Sequence, residues 1–329
     1  MERETFGGVV TPILTPIGPD GDLDVESLER LVEFQINEGV DGIFVLGTMG
    51  EGGMLTNTQK REVVRTVADL IAPELSLFVG VSDTSLTRVA ENIAAFAPYR
   101  VDAFVCTLPY FTPVAEDEQF GFFLELQAVA DRPVIAYNIP SFVKSSLSID
   151  VVERLSESGM LAGIKESTDN PERYGSLAKI VSRFPCFRVF TGHPSMIITA
   201  HKLGFAGIVV GLSNVIPKSC VAVDRLWTAG SEQSAKDLYA DILEVFEAIF
   251  DLRNLDGYNN SLPIIKAVAA ELGLISCPNL LPPYEPARRR HWDRIVSVCE
   301  RIKSLEDKSQ TILHNQAIKE TKVKCNQAV

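Results

Sequence analysis

Along the first two-thirds of the chain, a short unbroken apolar run is followed by a turn, then by a stretch with apolar residues at helical spacing. The pattern repeats. Eight runs read as strands: GGVVTPI (7–13), GIFVLG (42–47), LSLFVGV (75–81), DAFVCTL (102–108), PVIAYN (133–138), LAGIKES (161–167), FRVFTG (187–192) and GIVVGL (207–212). They are continuous rather than alternating, the pattern of strands covered on both faces. Between them, VESLERLVEFQINEG (25–39) sets Leu28, Leu31, Val32 and Ile36 on one helical face and stops at Gly39. TNTQKREVVRTVADLIA (56–72) opens on a capping-type threonine and carries Val63, Val64, Val67, Leu70 and Ile71; 85–97 and 171–184 behave alike. Short connections between alternating strands and helices imply parallel pairing with right-handed crossovers.

Eight such units predict an α/β fold, a (β/α)8 TIM barrel, which takes about 250 residues at roughly 30 per unit. Tyr137 and Lys165, near the ends of consecutive runs, are 28 residues apart. A doubly wound sheet is the competitor. It usually has fewer strands and carries G-x-G-x-x-G in its first turn, whereas GTMGEGG (47–53) spaces its glycines differently. Past residue 225 the strand runs stop, and 235–252, 262–274 and 287–305 read as helices. The expected division is a barrel over 1–225, a C-terminal helical appendage over 226–305 and a polar, disordered tail over 306–329.

Of the 329 residues, 46% are apolar and 22% charged, as in ordinary soluble domains. The net charge of −12 argues against nucleic-acid or anionic-membrane binding. The one basic cluster, Arg288 to Arg290, reads as a solvated helix face or salt-bridge donor. Six scattered cysteines without a CxxC favour a reducing compartment. The opening MERETFGGVV lacks the basic-then-apolar order of a signal peptide, and no apolar run approaches the roughly 18 residues of a membrane span. The expected location is the cytoplasm. None of the four histidines, His193, His201, His291 and His314, pairs at the i, i+4 spacing of a zinc helix, so no metal or other cofactor is expected.

In a barrel of this kind chemistry sits at the carboxyl ends of the strands. Lys165 ends the sixth run, Tyr137 the fifth, Gly47-Thr48-Met49-Gly50-Glu51 follows the second, and Gly192-His193 end the seventh. Lys165 has two readings: an amine reaching out of the barrel mouth to pair with Glu166 or Asp169, or a nucleophile. Burial disfavours an ammonium, and a neutral amine condenses with ketones and aldehydes to a Schiff base. Tyr137 is either a core tyrosine or a proton relay. GTMGE is either a glycine turn needing positive φ, or a nest whose Thr48 and Met49 N–H groups bind a carboxylate while the Thr48 hydroxyl joins the relay. His193 is either a satisfied loop histidine or a polar contact for the second substrate.

At these residues the chain resembles the dihydrodipicolinate synthase/N-acetylneuraminate lyase family of class I aldolases. The likeness runs over roughly residues 6 to 303. It rests on G-T-M-G-E (47–51), Y-N-I-P (137–140), G-I-K-E (163–166), L-G-x-x-G-I (203–208) and L-P-I-I-K-A (262–267). It implies a homo-oligomeric barrel, tetramer or dimer, and a lysine Schiff base with pyruvate or another 2-oxo acid. Lys165, Tyr137 and Thr48 stand where the family keeps its Schiff-base lysine, tyrosine and relay hydroxyl. Val209 stands where a backbone carbonyl near bound pyruvate is expected.

The departures bear on the substrate. Met49 replaces a second hydroxyl residue, and Phe111 replaces a tyrosine that many members lend to a neighbouring subunit's relay, with Tyr110 beside it. The synthase branch carries an arginine where Phe142 stands, with Lys144 nearby, and the sialic acid branch carries an acidic pair where Gly192-His193-Pro194-Ser195 runs. Phenylalanine cannot replace a charge-assisted hydrogen bond. The expected function is a lyase joining or splitting pyruvate and an aldehyde, acting on a 2-keto-3-deoxy sugar acid. The substrate contacts are Thr48, Met49, Val209, Tyr110 and His193. The alternatives are the synthase, an imine-based dehydratase or hydratase-aldolase, and a non-catalytic metabolite-binding protein.

Overall fold

The computed structural model describes residues 6–327. Eight parallel strands close on themselves in chain order: β1 (Gly8–Pro12), β2 (Gly42–Val45), β3 (Ser76–Gly80), β4 (Ala103–Thr107), β5 (Val134–Asn138), β6 (Gly163–Glu166), β7 (Arg188–Thr191) and β8 (Gly207–Ile208). Each lies inside one of the eight apolar runs. The connecting helices are α1 (Val25–Asn37), α2 (Asn57–Leu70), α3 (Leu86–Phe96), α4 (Glu116–Val129), the one-turn α5 (Pro140–Val143), α6 (Ile149–Glu157), α7 (Pro171–Arg183), α8 (Ile197–Lys202) and α9 (Pro217–Thr228). Three more follow: α10 (Glu232–Asp256), α11 (Leu262–Glu271) and α12 (Trp292–Gln327).

The runs are unbroken because both faces of each strand are buried. Alternate residues point inward, where Val10, Phe44, Phe78, Val105, Ile135 and Phe190 pack as one cluster. Phe78 meets Phe190 edge-on at 5.8 Å and Phe6 at 5.3 Å, so the barrel is plugged by rings rather than open. The residues between them, such as Val9, Ile43, Leu77 and Ile164, face the helical shell. The seam between β8 and β1 is close: a Cβ on Gly207 would lie 2.1 Å from the Gly8 carbonyl oxygen, so only glycine fits. Helix starts follow local chemistry. Thr56 caps α2 through the Gln59 N–H, and the Gln59 side chain returns a bond to the Thr56 N–H at 3.0 Å, a capping box.

The 225/226 boundary falls inside α9, which packs on β1 as well as on α10 and α12. The segment expected to be a disordered tail is helical through Gln327, as the last turns of α12. Leu305, Ser309, Ile312 and Leu313 keep helical spacing toward the core, and the buried Ser309 hydroxyl lies 2.9 Å from that of Ser219 on α9. Residues 1–5 of the expected barrel segment and residues 328–329 of the expected tail lie outside the described residues.

Candidate active site

Strand register builds the site. In the β5–β6 pair Tyr137 stands beside Lys165, and in the β6–β7 pair Lys165 stands beside Phe190. All three point into the barrel. Lys165 is 5% and Tyr137 6% exposed. The Lys165 Nζ lies 4.1 Å from the centroid of the Tyr137 ring and 5.0 Å from that of Phe44, which meets Tyr137 edge-on. A Cβ on Gly192 would come within 3.0 Å of Lys165 Cε and 2.0 Å of Ser167 Oγ, so the glycine just after β7 leaves the lysine its channel.

Glu166, the next residue, points the opposite way, as strand alternation requires. Its buried carboxylate accepts from Asn138 Nδ2 at 2.9 and 3.0 Å, from the Thr168 N–H at 3.0 Å and from Arg173 Nε at 2.5 Å. The ion pair anticipated between Lys165 and Glu166 is therefore replaced by one between Glu166 and Arg173, and among the described residues Lys165 forms no ion pair.

The turn after β2 brings Thr48 across the mouth. Its hydroxyl lies 3.2 Å from the Tyr137 hydroxyl. Among the described residues the N–H groups of Thr48 and Met49 donate to no protein acceptor, while those of Glu51 and Gly52 are spent inside the turn on Thr48 and Gly47 carbonyls. Met49 turns its thioether onto Gly211, after β8; a Cβ there would sit 2.9 Å from the sulfur. The glycines of this turn do not carry its positive φ angles. Those belong to Leu46 and Glu51, and Gly47, Gly50 and Gly52 supply space instead.

Thr48, Met49, Tyr137, Lys165, His193 and Val209 line one cavity of about 440 Å³. Its outer wall is apolar, from Phe142, Phe246, Ile249 and Phe250, with Asp169, Arg253 and Asn260 at intervals. His193 packs edge-on to Phe246 at 5.8 Å with Nδ1 2.8 Å from Ser195 Oγ, and burial lowers its pKa against the pull of Asp169. Tyr110 departs from the expected set. It lines a second cavity of about 280 Å³ that shares Thr48, Tyr137, Ile139 and Phe142 with the first, together with Lys60, Ser82 and Tyr284. Burial raises its pKa, and Phe111 beside it is 83% exposed.

Comparison with known proteins places this arrangement. The profile of the dihydrodipicolinate synthetase family matches residues 5–302. The chain belongs to that family. A dihydrodipicolinate synthetase family member from Hydrogenobaculum sp. (strain Y04AAS1), a 4-hydroxy-tetrahydrodipicolinate synthase, is 31% identical over 280 residues, 84% of this chain and 94% of its own. Another relative, the "Probable 2-dehydro-3-deoxy-D-pentonate aldolase" of Escherichia coli (strain K12), is 25% identical over 295 residues, 88% of this chain and 95% of its own. The solved 4-hydroxy-tetrahydrodipicolinate synthase of Methylacidiphilum fumariolicum SolV superposes with a TM-score of 0.84 at 26% identity, covering 94% of this chain and 99% of the other. Synthase and aldolase members of the dihydrodipicolinate synthetase family are lyases, and this enzyme is one of them.

Two groups of site residues were not singled out from the sequence. The Asn138–Glu166–Arg173 cluster clamps the end of β6 behind Lys165. Glu51 and Lys266 pair in the core although 215 residues separate them. Each belongs to a motif, yet nothing in linear spacing pairs a glutamate after β2 with a lysine on α11.

Proposed function

We propose that the enzyme is a Schiff-base aldolase that splits a 2-keto-3-deoxy sugar acid into pyruvate and an aldehyde, or runs the reverse reaction. One observation carries the reading: a buried strand-end amine lies against the Tyr137 ring, and the Tyr137 and Thr48 hydroxyls are 3.2 Å apart on the wall of one cavity. Lys165 Nζ adds to the C2 carbonyl of the 2-oxo acid and water leaves, giving an iminium. The Thr48 and Met49 N–H groups hold the substrate carboxylate, with Val209 lining the opposite wall. The C3–C4 bond then breaks. Its electron pair passes into the iminium to form an enamine, the C4 hydroxyl proton moves to the Tyr137 oxygen as Tyr137 passes its own proton along the Thr48 hydroxyl to solvent, and the aldehyde departs. Tyr137 returns the proton to C3, with the Thr48 hydroxyl next in line, and water addition frees pyruvate and the amine.

The pentonate aldolase relative supports a sugar-acid substrate. The name of the Hydrogenobaculum relative favours a second reading, 4-hydroxy-tetrahydrodipicolinate synthase. Phe142 on the cavity wall weighs against it, because a phenyl ring stands where that branch keeps the arginine that grips a second carboxylate, and the cavity's one guanidinium among the described lining residues, Arg253, comes from α10 instead. Assays of a panel of 2-keto-3-deoxy sugar acids for pyruvate release, beside condensation of pyruvate with aspartate semialdehyde, decide between them. The first reading predicts turnover of at least one sugar acid above that of the semialdehyde, and the reverse order rejects it. The same reading takes the enzyme as a cytoplasmic homo-oligomer, tetramer or dimer, with Tyr110 and Phe111 on a face that a second copy covers. A monomeric mass in solution contradicts that part.

A further inference from the structure

The turn that carries Thr48 and Met49 has left-handed residues near both ends, and neither is glycine: Leu46 at φ 58° and Glu51 at φ 52°. Such backbone is unfavourable for a residue with a Cβ and persists only where its surroundings hold it. At the Leu46 end, missing side chains do this. A Cβ on Gly52 would lie 2.1 Å, and one on Gly80 2.3 Å, from the Leu46 carbonyl oxygen.

At the Glu51 end the restraint is ionic. The Glu51 carboxylate accepts from Lys266 Nζ through Oε1 and from the Leu281 N–H at 2.8 Å through Oε2. Lys266 Nζ also donates to the Asn279 carbonyl at 2.7 Å. Both side chains are fully buried. Lys266 sits on α11, whose Leu262 and Ile265 line the Lys165 cavity. Glu51 is tied back into the turn by its N–H, which donates to the Thr48 carbonyl at 3.3 Å. A rotation of Glu51 therefore moves Thr48. A buried ion pair is weak evidence for stability, since an apolar or neutral pair of similar shape often folds as well.

We infer that the Glu51–Lys266 pair is a positioning device for the substrate's carboxylate: it fixes the Thr48 and Met49 N–H groups and the Thr48 hydroxyl, so the helices after the barrel set affinity for the 2-oxo acid. The inference rests on the Schiff-base reading above.

The test is the double variant Glu51→Gln with Lys266→Met, which leaves no charge stranded in the core. Borohydride trapping of the full-length enzyme is followed against pyruvate concentration, and separately with acetone, a ketone without a carboxylate. Thermal melting reports the fold. The half-saturating pyruvate concentration is expected to rise about tenfold or more, the effect of losing well-placed donors to a charged group. Trapping by acetone stays within about twofold of wild type, the level of change that site-independent surface effects leave. A structural defect alone lowers both carbonyls together, and that result overturns the inference. So does unchanged pyruvate dependence in a folded variant. Should the double variant not fold, Glu51→Gln alone takes its place with the same two readouts. Wild-type enzyme that pyruvate cannot trap overturns the Schiff-base reading and this one with it. Trapping of the wild type with no shift in the variant overturns this one only.

Discussion

Replacing Tyr137 by phenylalanine removes one oxygen and little else. The ring keeps its edge contact with Phe44 at 6.2 Å and its place 4.1 Å from Lys165 Nζ. What goes is the 3.2 Å hydrogen bond to Thr48. Such a bond contributes about 0.5–1.5 kcal/mol to stability. If the same hydroxyl takes and returns the C4 proton, its loss lowers turnover by about 10²–10⁴-fold, or about 3–5 kcal/mol on the barrier. The catalytic effect is several times larger than the folding effect, so a small drop in melting temperature cannot explain it. Imine formation needs Lys165, and the carboxylate turn only holds pyruvate beside it, so borohydride trapping by pyruvate should survive in the variant. The assay is pyruvate release from a sugar acid that the wild type cleaves, read beside trapping yield. Turnover within about threefold of wild type would refute the relay role, because a general acid–base group is worth far more than that.

Gly192→Ala puts a methyl 3.0 Å from Lys165 Cε and 2.0 Å from Ser167 Oγ; overpacking of this kind costs about 1–3 kcal/mol, and trapping by pyruvate should slow at least about tenfold, measured at saturating pyruvate. Phe142→Arg should raise turnover of carboxylate-bearing aldehydes over neutral ones by about tenfold, the effect of one charge-assisted contact, with melting unchanged because Phe142 is 37% exposed; an unaltered ratio in competition assays counts against the assignment of the outer wall. His201 stacks on Trp227 at 5.5 Å, and burial lowers its pKa to about 4. The unfolded chain takes that proton first, so the contribution is whole above about pH 6.5 and drains away as pH falls toward 4, on the order of 3 kcal/mol in all. Asp224, 3.9 Å away with its pKa raised to about 6 by burial, runs in the opposite direction below that pH. The difference between wild type and His201→Gln, followed by Trp227 fluorescence in urea melts across that window, isolates the histidine. A constant difference contradicts the assignment.

The eight strands were legible because each is buried on both faces, leaving unbroken apolar runs bounded by turns. The last run, 207–212, gives a strand of only two residues, since the chain leaves the sheet at Val209 to line the cavity and enters a 3-10 turn at Gly211. Helix α4 is not legible in the pattern, because its acidic start and Phe-rich middle set no single apolar stripe. The end of α12 is helical against the expectation of a disordered tail, because Ser309, a polar residue, holds a core-facing position through a hydrogen bond rather than by hydrophobicity. At the site, an amine ending an apolar run and a tyrosine one unit earlier are local signals, and register brings them side by side. Tyr110 stands out only by its nearness to Phe111 in sequence, and the loop after β4 carries it to an adjoining cavity that Thr48 and Tyr137 also line. The Glu51–Lys266 pair is a product of folding alone.

The central claim is that the amine of Lys165 captures a keto acid covalently. Incubation with pyruvate and borohydride, followed by peptide mass mapping, tests it most directly. The account predicts irreversible inactivation, with the reduced pyruvate adduct on the peptide containing Lys165 and none in Lys165→Arg. Full activity after treatment, or an adduct on another lysine with Lys165 unmodified, contradicts it.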